Sequence, residues 1–130
     1  MTEKSLKYIF EIEILRFSDY FDLSNVVLII HDREFTPGCR KFRDVAWADP
    51  NEMSVNICRR VLNFGTNNIT ALLRHEIAHL CDVYSASKKA EQRADDICYL
   101  VTGQKINYSG PHLIQTIRSG IHPRPKELHA

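Results

Sequence analysis

The sequence predicts an α+β fold in a single domain: an opening helix, a small mixed or antiparallel sheet, then three helices. Three observations predict it. β-Branched and alternating runs are confined to residues 26–58. Helical apolar stripes take over from residue 66 onward. The chain has 130 residues with a 44% hydrophobic share, enough for one core and too apolar for a disordered chain.

Each element follows from its own pattern. Leu6, Ile9, Phe10, Ile14 and Phe17 form a helical stripe, although Phe10, Ile12 and Ile14 also alternate with Glu11 and Glu13 as a strand would. The helix is the better reading. Val26 to His31 is a β-branched apolar run closed by Asp32, and Thr36-Pro37-Gly38 is a turn. Arg43 to Ala48 makes a second strand, followed by turn residues Asp49-Pro50-Asn51-Glu52. Met53 to Cys58 alternates with period two, as a half-buried or edge strand does. Arg59 to Asn63 is a short helical segment that ends near Gly65.

The second half is helical. Thr66, Asn67 and Asn68 offer caps for a helix over Ile69–Asp82, with the stripe Ile69, Leu72, Leu73, Ile77 and Leu80. Ser85 or Ser87 caps the next helix, which carries Ala90, Ala94, Ile97, Cys98 and Val101 inward and stops at Gly103. A last helix is expected over Pro111–Ser119, with Pro111 at its start. Residues 123–130 are expected to form a flexible tail, or one that reaches back and makes the chain latent.

Charge and cysteine usage narrow the function classes. Seventeen basic and 16 acidic residues leave a net charge of +1, which gives no electrostatic case for nucleic acid or an anionic membrane. No apolar run approaches the ~18 residues that a membrane helix needs. The first residues lack a secretory signal, so a cytoplasmic setting with Cys39, Cys58, Cys81 and Cys98 as reduced thiols is expected. Cys81 and Cys98 fall on helical stripes and read as small core residues. Trp47 reads as core and His31 as a surface or capping residue.

The chemistry is concentrated in Leu72-Leu73-Arg74-His75-Glu76-Ile77-Ala78-His79-Leu80. Residues four apart lie on one helical face, so His75 and His79 can share a metal ion. Glu76 lies beside them, toward the side where a metal's water would sit. Imidazole donors favour zinc, one ion per chain. A catalytic zinc needs a third protein ligand. If the two helices turn back on each other about residues 83–86, Glu91 returns toward His79 and completes a His₂Glu set. Asp95, four residues on, shares that face and can hold the outer nitrogen of a ligating histidine. The bland alternative makes Glu91 and Asp95 solvated charges paired with Lys88, Lys89 or Arg93.

His75-Glu76-x-x-His79 followed by Glu91-x-x-Ala94-Asp95 resembles the gluzincin zinc peptidases. The pattern is most similar to the catalytic domains of CAAX prenyl protease and HtpX-type peptidases, and to their small soluble relatives, the minigluzincins. ImmA-like regulatory peptidases show a similar pair of helices. The resemblance implies a zincin-like fold in one minimal domain over residues 1–130, in which Zn²⁺ is held by His75, His79 and Glu91. It implies hydrolysis of a peptide or protein substrate with Glu76 as general base. It also implies that the strand Met53–Cys58 forms the rim of the cleft and pairs with substrate, bringing Val55 and Asn56 to it. Ser119-Gly120-Ile121-His122-Pro123 is similar to the family's Ser-Thr-His-Pro element with one residue more, which places His122 near substrate. His112, Tyr108 and Arg118 join His122 as candidates for stabilising an oxyanion. The competing non-enzymatic reading is a closed structural zinc site with a fourth ligand from His112, His122 or Cys81.

Overall fold

A computed structural model describes residues 1–32, 46–82 and 89–104. The expected turn at Thr36-Pro37-Gly38, the last helix, His112, His122 and the tail lie outside these residues, as do Cys39, Ser85, Ser87 and Lys88.

The described chain is α+β. It runs α1 (Glu3–Ser18), β1 (Val27–His31), β2 (Ala46–Asp49), β3 (Ser54–Cys58), a 3-10 helix (Arg59–Asn63), α2 (Thr66–Cys81) and α3 (Ala90–Thr102). The sheet is mixed, in the order β1-β3-β2. β1 runs parallel to β3 with Val27 opposite Ser54, and β2 runs antiparallel to it with Asp49 opposite the same Ser54.

α1 is a helix, as its stripe predicts. Thr2 caps it by accepting from the Ser5 backbone N–H at 3.0 Å. Its buried residues are Leu6, Phe10, Glu13 and Phe17. The inward face is thus rotated toward Glu13, because Arg74 of α2 meets that carboxylate: Arg74 Nε donates to Glu13 Oε1 at 2.7 Å. The turn between β2 and β3 is built on Asp49, whose Oδ1 accepts from the N–H groups of Asn51 and Glu52.

β3 corrects the sequence reading. Alternation suggests a half-buried or edge strand, but β3 is central and all five of its residues are buried. Val55 and Ile57 face the helices, where they join Leu72, Leu73 and Ile77 in one apolar core. Ser54, Asn56 and Cys58 face the other way, beside Trp47 of β2 and His31 of β1. There the rings of His31 and Trp47 stack with centroids 4.8 Å apart. His31 Nε2 lies 2.9 Å from Asn56 Oδ1, and Asn56 Nδ2 donates to Ser54 Oγ at 3.0 Å. A buried amide needs such partners. Trp47 is therefore half-buried on this polar face of the sheet rather than part of the apolar core.

The helix ends hold a second correction. α2 begins at Thr66 with Gly65 as N-cap, and no side chain caps it. Asn68 is turned inward and buried instead of capping. α3 stops at Gly103, which adopts φ +72°, the left-handed conformation that glycine reaches without steric penalty. Among the described residues no helix is long and apolar enough to cross a membrane.

Candidate metal centre

α2 carries the histidine pair on its buried face. Ile69, Leu72, Leu73 and Ile77 anchor the helix in the core, and that packing turns His75 and His79 toward α3. The His75 side chain is 1% exposed and that of His79 15%. Their rings meet edge to face with centroids 4.5 Å apart, and the two Nε2 atoms are 3.0 Å apart.

α3 brings two carboxylates to this pair. Glu91 Oε2 lies 2.9 Å from His75 Nε2, and Glu91 Oε1 lies 3.1 Å from His79 Nε2. One carboxylate thus bridges both imidazoles. Asp95 Oδ1 stands 3.6 Å from His75 Nδ1, an ion-pair distance on the opposite side of the ring. Asp96, next in sequence, is exposed and accepts from Gln92. Arg93 binds Asp82.

Glu76 is 5% exposed, and a ligand atom from each of His75, Glu76 and His79 lies within 4.8 Å of the others. This group could hold a metal ion. Two carboxylates, Glu76 and Glu91, therefore approach the histidines, and Glu91 makes the closer contacts.

The electrostatics follow from burial and charge. Burial works against a charge on His75, but the carboxylates of Asp95, Glu91 and Glu76 outweigh it and hold its pKa up at about 9 without metal. Partial burial opposes the Glu91 anion, yet His75 and His79 pull its pKa down to about 2. Burial raises the Glu76 carboxyl above its ordinary value, against the lowering effect of both histidines. The thiols of Cys81 and Cys98 are raised by burial, that of Cys81 to about 12, so both stay protonated at neutral pH when no metal binds them.

The structure brings together His75, Glu76, His79, Glu91 and Asp95. It does not bring Val55 and Asn56 to them. Val55 is locked in the core and Asn56 lies under the His31–Trp47 stack on the other face of the sheet. Both edges of β3 are occupied by neighbouring strands, so neither residue can pair with an added strand. His122 lies outside the described residues. The residue that sequence reasoning missed is Asp82: its side chain is 3% exposed and bound by Arg93, and only its spacing after His79 could have drawn notice.

Comparison with protein-family models, with curated proteins and with solved structures gives no match.

Proposed function

We propose that the protein is a zinc-dependent metallopeptidase of zincin-like design, one zinc per chain, with His75, His79 and Glu91 as ligands and Glu76 as general base. One observation carries this reading: Nε2 of His75 and Nε2 of His79 lie 3.0 Å apart, and the Glu91 carboxylate spans them, with Oε2 2.9 Å from the first and Oε1 3.1 Å from the second. A tetrahedral zinc with bonds near 2.0–2.1 Å spaces its ligand atoms about 3.3 Å apart. These spacings suit three protein ligands of such a site, the number that a catalytic zinc keeps.

When bound, zinc supplies an acidified water and a Lewis acid for a carbonyl. The remaining work falls to the chain's own groups. Glu76 lies within 4.8 Å of the histidine ligand atoms, and burial raises its carboxyl above the ordinary value, the direction that favours a general base. It would take a proton from the attacking water as the water oxygen bonds to the carbonyl carbon, and return it to the departing amine as the C–N bond breaks. Asp95 faces the outer nitrogen of His75 and holds that ring so that Nε2 points inward. Among the described residues the sheet edges open to an extended peptide belong to β1 and β2, and β2, which packs against α2, takes the substrate-pairing role expected of Val55 and Asn56.

Elemental analysis and hydrolysis of a loose protein such as casein test the reading together. The expected result is about one zinc per chain, sharply weakened by Glu91→Ala, with turnover lost but zinc retained in Glu76→Gln. A wild type that takes up no zinc, or a Glu76→Gln protein that still turns over, overturns it.

A further inference from the structure

We infer that the Asp82–Arg93 ion pair is a positioning element for the metal centre, fixing the first turn of α3 so that Glu91 reaches both histidines. The inference rests on the zinc reading and adds two residues to it.

The need for such an element is visible in α3 itself. Glu91 is the second residue of the helix, and the N-cap Lys89 makes no side-chain capping bond. First turns without a cap fray, because their N–H groups lack partners. The Glu91 side chain is 51% exposed, so surrounding packing does not hold it. Yet its two oxygens stand within 3.1 Å of two different imidazoles. Something must fix the backbone that carries it.

Asp82 and Arg93 are placed to do so. Asp82 ends α2, three residues after His79, and its backbone N–H donates to the His79 carbonyl at 3.2 Å. Arg93 lies two residues after Glu91, and its backbone N–H donates to the Lys89 carbonyl at 3.0 Å, closing the first turn. Arg93 Nε donates to both oxygens of Asp82 at 3.0 Å, while Nη2 lies 2.9 Å from Oδ2. The pair therefore joins the end of one ligand-bearing helix to the start of the other. Its planar, charge-assisted geometry fixes orientation as well as distance, which a lysine ammonium cannot reproduce. The Asp82 carboxylate is buried and needs the counter-charge, so the contact persists without metal.

The test is a thermodynamic cycle on zinc affinity, read by competition with a chromophoric chelator. Arg93→Gln should weaken zinc binding about tenfold or more in the wild-type background, the range for groups that orient ligands. In a Glu91→Ala background the same change should have no further effect, because the residue it positions is gone. Arg93→Lys should recover only part of the loss. In metal-free protein, Arg93→Gln should speed amide exchange in the first turn of α3 while the centre of α2 stays protected. Equal losses of zinc affinity in both backgrounds would assign Arg93 a general stabilising role and overturn the inference. Unchanged exchange in that first turn would overturn it too, even for a wild type that takes up no zinc. Failure of the zinc reading shows separately, as a wild type without metal.

Discussion

Arg74 lies immediately before the histidine pair and reaches back across the core to Glu13, its Nε 2.7 Å from Oε1. The same guanidinium donates through Nη1 to Gln104 Oε1 at 2.6 Å. One side chain of α2 thereby contacts α1 and the second residue past the end of α3. The Glu13 side chain is 4% exposed and takes its closest cation from Arg74, with Arg16 Nε farther off at 3.5 Å.

Removing either partner alone should therefore be costly. Arg74→Met leaves a buried carboxylate and should destabilise the fold by about 3 kcal/mol. Combining it with Glu13→Leu should recover much of that loss, since an apolar pair needs no counter-charge. Urea denaturation of the two single variants and the double variant measures the difference.

Asp95 acts on zinc through His75. Asp95→Asn keeps the size of the side chain but removes the charge that faces His75 Nδ1 at 3.6 Å. Zinc affinity should fall about 10–100-fold, as for other partners of ligating histidines. The fold should persist, and circular dichroism checks that in the same samples.

The metal-free protein should lose stability as pH rises. His75 has its pKa raised from 6.5 to about 9, so its contribution is complete below 6.5 and disappears as pH climbs through 9. Glu76, also raised, adds a loss in the same direction that starts from its ordinary value of 4.5. Glu91 has the opposite sign: its contribution is present above 4.5 and is lost as pH falls through about 2. Melting temperatures in the presence of a chelator should fall between pH 6.5 and 9. Zinc binding requires neutral imidazole, so zinc affinity should rise over the same interval. Thermal melts with chelator and with zinc separate the two trends.

Gly103→Ala should cost about 1 kcal/mol from backbone conformation alone. A Cβ there meets no atom within 4 Å, so crowding contributes nothing. The strain comes from φ +72°. Gly103→Asn should cost less, because asparagine tolerates that region better. Thermal unfolding of both variants distinguishes strain from packing.

Much of this architecture is legible in the sequence, and the exceptions have physical causes. Helical spacing identifies His75 and His79 as neighbours, and the short connection from His79 to Glu91 is enough to expect the carboxylate beside them. Glu13 is not legible, because nothing in a local stripe shows that a charge will meet Arg74, far along the chain. β3 is misread because an alternating strand looks alike at an edge and at the centre. The His31–Trp47 stack, contributed by two other strands, helps to make a buried site for the polar Asn56. Local pattern determines the faces of each element, whereas the identity of the neighbours is a property of the whole chain.

The shared partner Ser54 has a consequence for how the chain assembles. Asp49 meets it across a tight turn, so the β2–β3 hairpin closes on the microsecond scale typical of local contacts. Val27 meets the same residue only after the whole intervening segment has been drawn into a loop, at a greater entropic cost. The hairpin should therefore form the early scaffold, with β1 docking late in parallel register. Weakening the turn at Asp49 should slow folding, whereas truncating Leu28 or Ile30 should mainly speed unfolding.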